Sequence, residues 1–261
     1  MQKVLPSKGV FFNLLNHNRN DWERQLRFIK ALPKVDHIEI WLESLPLKNE
    51  DVIWLNTNLA TYRHLVHAPF IETSFVSPNR HLRAAAYRTL KDTAALAKRL
   101  KAELITFHLG NYPFFHSVAA VTTTLKKELF PLISEIKPQL AIENLPPGHS
   151  VRLSAFNTTT LAKIFPTIPL TLDTGHAWRQ IENPTRIFNQ HHHQIKNIHL
   201  VDGTRAGGDH LEFGLGEINL EQLVNAVKAK TYTGFLTVEV LGEKAIQNSW
   251  KKLLSWLLKQ S

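Results

Sequence analysis

Two residues with metal-binding side chains, Asp173 and His176, follow a short apolar run near the middle of the 261-residue chain. The run Leu170–Leu172 is suited to a buried strand, and Gly175 permits a tight turn directly after it. An aspartate and a histidine three residues apart at the end of one strand can serve the same metal centre. This stretch therefore predicts a metal site at a strand end.

Further residues of metal-ligand type stand at the ends of other apolar runs or in a glycine-rich loop. They are His67, His108, Glu143, His199, His210 and Glu239. A single histidine at a strand end is more often hydrogen-bonded to backbone than bound to a metal, so the prediction depends on the whole set.

The composition of this set indicates which metal it would bind. Carboxylates and imidazoles bind Mn²⁺, Mg²⁺, Co²⁺ and Zn²⁺. Buried together without a cation, Glu143, Asp173 and Glu239 would repel one another and resist ionisation. The added histidines make zinc the favoured ion, in one to three copies, with Mn²⁺ or Mg²⁺ as alternatives. A carboxylate such as Glu143 could bridge two ions, and paired ions can activate water for in-line displacement at phosphorus.

The elements that must position these residues alternate regularly along the chain. Eight apolar runs predict strands, namely Gly9–Leu15, His37–Trp41, Arg63–Ala68, Glu103–His108, Gln139–Glu143, the run that ends at Asp173, Ile195–Val201 and Gly234–Glu239. Helical segments separate them, without a linker or a change in composition. This pattern predicts an α/β fold, a closed parallel (β/α)8 TIM barrel that forms a single domain over residues 1–261, with a doubly wound open sheet as the alternative.

A closed barrel would bring the predicted ligands together. The carboxyl ends of all eight strands meet on one face of such a barrel, where active sites are built. Two helix starts are also predicted, with Asn20 or Asp21 capping the first helix and Ser77-Pro78 opening the third.

The composition excludes several classes of protein. The chain has 43% hydrophobic and 20% charged residues, which is typical of a globular protein. It has no cysteine, which excludes disulfides, thiolate metal sites and cysteine nucleophiles. No apolar stretch has the length of a membrane span or a signal peptide, so we expect a cytoplasmic protein without membrane contact. The net charge of +9 would attract an anionic substrate or nucleic acid, although a basic solvated surface explains it equally well.

Seven short motifs, taken in order, resemble a known group of proteins. They are His-Ala-Pro from residue 67, Phe-His-Leu-Gly from 107, Ile-Glu-Asn-Leu-Pro from 142, Leu-Asp-Thr-Gly-His-Ala from 172, Ile-His-Leu-Val-Asp from 198, Gly-Asp-His-Leu-Glu-Phe-Gly from 208 and Thr-Val-Glu-Val from 237. This series resembles the xylose isomerase-like TIM-barrel superfamily and, within it, is most similar to endonuclease IV, the family 2 apurinic/apyrimidinic endonucleases.

The resemblance implies how three zinc ions would be held. His67, His108 and Glu143 would bind the first ion, and Glu143 would bridge to a second ion that also takes Asp173, His199 and Glu239. The third ion would be bound by His176 and His210, with Asp209 as a further ligand. The family has Asp-x-His at that point, whereas Asp209 here directly precedes His210.

The resemblance leaves two classes of substrate open. An endonuclease IV-like enzyme would cleave a phosphodiester, with abasic-site DNA as one candidate substrate. Phe70 stands where that family carries a tyrosine that enters DNA, and the loop Leu42–Asn49 has no matching arginine. Related enzymes instead isomerise or epimerise a small sugar with one metal ion.

Several residues have expected roles under both readings. Glu143 and Glu239 are the expected catalytic residues, as the acid/base pair in a sugar enzyme and beside the attacking water in a hydrolase. Arg205 and His176 would hold the substrate, and the expected pocket walls are Glu39, Trp41 and Trp178. A barrel that only binds a ligand is the third alternative, which the burial of so many charged residues disfavours.

Overall fold

Eight parallel strands close into a barrel in the computed structural model, which describes residues 5–15, 18–43, 47–147, 153–208 and 210–259. The barrel strands are β1 (Ser7–Asn13), β2 (His37–Trp41), β3 (Arg63–His67), β4 (Leu104–His108), β6 (Gln139–Glu143), β8 (Leu170–Asp173), β9 (Ile195–Leu200) and β10 (Phe235–Val238). Two further short strands, β5 (Tyr112–Pro113) and β7 (Leu153–Ser154), pair antiparallel outside the barrel. Strand β1 pairs with both β2 and β10, so the sheet has no free edge, and the predicted (β/α)8 barrel is confirmed.

Helices follow the barrel strands and cover the outside of the sheet. Those in the described part of the chain are α1 (Arg19–Ala31), α2 (Asn49–Asn58), α3 (Arg80–Arg99), α4 (Val118–Glu135), α5 (Thr158–Ile164), α6 (Thr174–Arg179), α7 (Pro184–His191), α8 (Leu220–Ala229) and α9 (Glu243–Leu258). Each helix in the described part of the chain is too short or too polar to span a lipid bilayer.

Three local predictions about helices were wrong. The first helix is capped by Asn18, whose side chain accepts from the Asn20 amide, so neither Asn20 nor Asp21 is the cap. The third helix begins at Arg80 behind the cap Asn79, and the Ser77 hydroxyl accepts from the Asn79 amide. Asp173 is followed by helix α6 where the sequence predicted a tight turn.

The period of two along each strand divides the barrel residues between two environments. One set of side chains packs against the helices in the main core, as Leu236 and Val238 of β10 do. The alternate set points into the barrel, where Leu65, Leu104, Ala141 and Phe235 form a small separate apolar cluster. In every strand, residues that face the interior thus alternate with residues that face the helices. The last interior residue lies at the carboxyl end of its strand.

Candidate metal centre

The interior residues at the carboxyl ends of β3, β4 and β6 form the first group of metal-ligand side chains. His67 Nε2 lies 3.2 Å and His108 Nε2 3.0 Å from the same oxygen of Glu143, Oε2. The ligand atoms of the three residues all lie within 4.8 Å of one another. All three side chains are buried. Two imidazoles and a carboxylate at this spacing could hold one divalent ion.

A second group shares Glu143 with the first. Its ligand atoms come from Glu143, Asp173, His199 and Glu239, and these also lie within 4.8 Å of one another. His199 Nδ1 is 3.3 Å from Glu143 Oε1 and 2.9 Å from Glu239 Oε2. The two oxygens of the Glu143 carboxylate therefore face different groups of ligands, as a carboxylate that bridges two ions would.

Several buried polar atoms at this point of the barrel lie close to one another but make no hydrogen bond of suitable geometry. They include His108 Nε2, Glu143 Oε1, Asp173 Oδ2, His199 Nδ1 and Glu239 Oε2. Burial of an unpaired polar group costs about 1–3 kcal/mol, and more if the group is charged. Divalent cations held by the two ligand groups would satisfy these atoms, so the residues fit the metal that the sequence predicted.

The charges of the site depend strongly on one another. Burial raises the pKa of Asp173 to about 6, against the opposing charge of His176. Burial would lower the pKa of His176, but the carboxylates of Asp173 and Glu143 outweigh it and raise that pKa to about 9. Burial likewise opposes protonation of His199, yet Glu143 and Glu39 hold its pKa well above the usual value. Positive charge is thus strongly favoured at this point, by a proton or by a metal cation.

The residues expected at a third ion lie beside the second group. His176 Nδ1 is 3.4 Å from Glu143 Oε1 and 3.5 Å from Asp173 Oδ1. The rings of His176 and His210 are 5.9 Å apart, and His210 is about a quarter exposed. Asp209 lies outside the described residues, so its role stays a prediction.

Aromatic rings line one side of the ligand groups. Trp41 and Phe70 stack with centroids 5.8 Å apart, and Phe70 lies 4.9 Å from the His108 ring. Phe11, which the sequence analysis missed, lies 5.1 Å from the His199 ring. The alternation of side chains along β1 predicts the position of Phe11, because Gly9, Phe11 and Asn13 share the interior face.

Trp178 of α6 and Arg205 in the loop after β9 contact each other and share a third residue. The Trp178 indole donates to Glu217 Oε2 at 2.9 Å, and the Arg205 guanidinium lies 4.1 Å above the indole ring. The same Glu217 oxygen accepts from the Arg205 amide. Glu217 thus fixes both residues, and the sequence offered no signal for it beyond its place in a glycine-rich loop.

Glu39 lies in the interior of the barrel, beside His199. The side chain is completely buried, and Oε2 is 3.1 Å from Nε2 of His199, on the side of the ring remote from the other ligands. The buried carboxylate thus contacts His199, a residue of metal-ligand type, and its expected role as a pocket wall stays a prediction.

A family model described as the xylose isomerase-like TIM barrel matches residues 26–260. The chain belongs to this family. A curated relative, the uncharacterized protein MJ1614 of Methanocaldococcus jannaschii, is 25% identical over 177 residues, which cover 64% of this chain and 68% of the relative.

Several solved structures share the fold of the chain. A D-tagatose 3-epimerase-like protein has a TM-score of 0.81 at 21% identity, with coverage of 96% of this chain and 97% of the other. Endonuclease IV from Thermus thermophilus has a TM-score of 0.72 at 17% identity, with coverage of 97% and 99%. The family model confirms the predicted superfamily, and the solved structures similar to the chain include both an endonuclease and an epimerase-like protein.

Two further residues organise this xylose isomerase-like site, although neither was predicted. Asn144, next to Glu143, accepts from the Asp173 amide at 2.9 Å, donates to the Asp173 carbonyl at 3.1 Å, and its own carbonyl lies 3.0 Å from His176 Nδ1. Asp202 is buried at the start of the loop that carries Arg205 and His210. Both stand in the motifs that carry the resemblance, but only the folded structure reveals their contacts.

Proposed function

We propose that the chain is a divalent-metal-dependent phosphodiester hydrolase that resembles endonuclease IV, with zinc as the favoured ion. The observation that carries the proposal is the position of Glu143, whose two oxygens face different groups of ligands. The second group alone would suffice for a one-metal enzyme. The buried His67 and His108 beside Glu143 Oε2 are explained by a second ion.

The reaction follows from the chemistry that such ions supply. A pair of divalent ions activates a water and neutralises the leaving oxygen of an in-line displacement at phosphorus. His67 and His108 would hold one ion, Asp173 and His199 the other, and Glu143 both. Glu239, with its oxygen 2.9 Å from His199 Nδ1, lies where it could accept a proton from the attacking water.

The substrate would be an anion that enters the pocket. Arg205 at the mouth would attract a phosphate group, and the stacked Trp41 and Phe70 offer an apolar surface to a base or sugar. Abasic-site DNA and a smaller phosphodiester both meet this description. The net charge of +9 would favour either of them over a neutral sugar.

Sugar epimerisation is the second candidate function, and one observation favours it. Glu143 and Glu239 both approach His199 Nδ1, at 3.3 and 2.9 Å, so both carboxylates would border the same ion. Two carboxylates beside one ion could remove and return a proton at carbon next to a carbonyl. The high structural similarity to a D-tagatose 3-epimerase-like protein agrees with this alternative.

A panel of substrates distinguishes the two functions. The metal-loaded protein is incubated with duplex DNA that contains an abasic site, with bis(4-nitrophenyl) phosphate and with ketoses. We expect hydrolysis of at least one phosphodiester and its loss after chelation. Cleavage of the model compound alone would contradict DNA as the substrate, and epimerisation without hydrolysis would contradict the proposed reaction.

A further inference from the structure

We propose that Glu39 is a positioning residue that fixes the ring of His199 and directs its Nδ1 toward the metal centre. The proposal rests on the proposed metal centre, but it does not depend on whether the reaction is hydrolysis or epimerisation. Glu39 comes from β2, on the far side of the barrel interior from β9, which carries His199.

The argument begins with the surroundings of the Glu39 carboxylate. Its Oε2 accepts from Asn197 Nδ2 at 2.8 Å and lies 3.1 Å from His199 Nε2 and 3.0 Å from the Thr237 hydroxyl. Each of these residues is completely buried. The other oxygen, Oε1, has no hydrogen-bond partner. Burial of a carboxylate in this way lowers the stability of the fold. A contribution to stability therefore does not explain why a glutamate stands at this position.

The two nitrogens of the His199 ring supply that explanation. A neutral imidazole has one N–H donor and one lone pair. Because Nε2 faces the acceptor Glu39, the proton belongs on Nε2 when the ring is neutral. The lone pair is then on Nδ1, which is the nitrogen that faces Glu143 and Glu239. Glu39 thereby selects the tautomer that can bind a metal and makes the ring a stronger ligand.

The Glu39 carboxylate is itself held from the floor of the barrel. The Thr237 hydroxyl lies 3.0 Å from His37 Nε2, and His37 Nδ1 lies 3.0 Å from the Ser7 hydroxyl. A continuous series of buried polar contacts therefore runs from the amino end of β1 to the metal centre. Such a series limits the rotation of Glu39, and through Glu39 that of His199.

The test compares metal affinity in matched variants. Glu39→Gln keeps the shape but replaces a charged acceptor by a weaker neutral one, and Thr106→Val removes a buried hydrogen bond to Thr171 in the same interior without touching Glu39. We expect Zn²⁺ affinity, measured by competition with a chromophoric chelator, to fall at least about tenfold in Glu39→Gln. Thr106→Val should retain the affinity of the wild type.

A second measurement applies to the unmodified protein, in case Glu39→Gln fails to fold. With ¹⁵N-labelled histidine and bound zinc, NMR identifies which His199 nitrogen carries the proton and which binds the ion. We expect the proton on Nε2. Zinc on Nε2, or wild-type affinity in a folded Glu39→Gln variant, would overturn the inference. If the wild type binds no divalent ion, the proposed function is contradicted as well. If the wild type binds zinc but either of the two results above is found, only the role of Glu39 is contradicted.

Discussion

Three histidines of the site have one ring nitrogen close to a backbone carbonyl. His67 Nδ1 is 3.0 Å from the Ala68 oxygen, His176 Nδ1 3.0 Å from the Asn144 oxygen, and His210 Nδ1 3.2 Å from the Glu239 oxygen. A proton on each Nδ1 leaves the lone pair on Nε2. For His67, whose Nε2 faces Glu143 Oε2, the backbone carbonyl therefore does what Glu39 does for His199 and leaves the nitrogen that faces the metal centre free to bind an ion.

Removal of the first ligand group should change the metal content without unfolding the protein. We expect the double variant His67→Ala/His108→Ala to lose about one metal equivalent per chain, because only Glu143 of that group remains. The barrel core lies elsewhere, so the circular dichroism spectrum should stay that of the wild type. Elemental analysis by mass spectrometry measures the loss, with His81→Ala on the exposed surface of α3 as control. Unchanged metal content would contradict a two-ion centre and favour the sugar enzyme.

The buried His37 should make the free energy of unfolding depend on pH. Burial lowers the pKa of His37 to about 3, whereas an unfolded histidine titrates near pH 6.5. Between these values the unfolded chain binds the proton and the folded chain does not. Stability therefore falls as the pH drops below about 6.5, by up to about 1.4 kcal/mol per pH unit from this group.

Urea unfolding of the metal-free protein between pH 4 and 7 measures this effect. His37→Gln can keep contacts with Ser7 and Thr237 but has no titrating proton, so its stability should depend less on pH than that of the wild type. His81→Gln, at an exposed position of α3, should leave the dependence unchanged. If the free energy of unfolding depended equally on pH in the wild type and in His37→Gln, His37 would take up its proton in the folded state as well. That result would contradict the prediction.

The carboxylate of Asp202 holds the loop after β9 at four backbone amides. Asp202 Oδ1 accepts from the amides of Gly203 and Ile218, and Oδ2 accepts from those of Gly214 and Gly216, at 2.7–3.1 Å. A methyl group on Gly216 would overlap Asp202 Oδ1, so this close approach requires glycine. The loop between these points carries Arg205, His210 and Glu217, so the contacts of Asp202 help to position these three residues.

Replacement of Asp202 should loosen this loop. Asp202→Asn keeps the size of the side chain but turns an NH2 group toward two backbone amides, which leaves donors unsatisfied. We expect the free energy of unfolding to fall by about 2 kcal/mol or more. Limited proteolysis should also begin within residues 203–217, whereas Asp92→Asn on the exposed surface of α3 should change neither result. Wild-type resistance to the protease would contradict the proposed dependence of the loop on Asp202.

The sequence predicted the barrel and the ligand-bearing strand ends because both follow from local patterns. Apolar runs that alternate with helices define the fold, and a polar residue at the end of such a run is visible without coordinates. The contacts of Glu39 were not predictable in this way, since Asn197 and Thr237 lie about 160 and 200 residues away in the chain. Helix α6 was missed because Gly175 suggested a turn, whereas the Asp173 side chain accepts from the His176 amide at 2.6 Å and caps a helix.

For the whole molecule, closure of the sheet converts separate strand ends into one site. Residues as distant in the chain as His67 and Glu239 then lie near the same residue, Glu143, and six strands and the loops after them contribute side chains to the centre. The excess of nine positive charges belongs to the molecule as a whole and would attract anions from a distance. Such an attraction discriminates between substrates by their total charge.

The dependence of binding on salt should therefore identify the class of substrate. Each DNA phosphate that the protein neutralises releases counterions, so the logarithm of the binding constant falls with the logarithm of salt concentration by about 0.9 per contact. For duplex DNA with an abasic-site analogue we expect a slope steeper than about −4, measured by fluorescence anisotropy on metal-free protein to prevent cleavage. Thermal unfolding at each salt concentration provides the control, because a loss of folded protein would imitate weaker binding. A slope between 0 and −1 with intact protein would contradict a polyanionic substrate, since that value fits a small phosphodiester with a single charge held at Arg205.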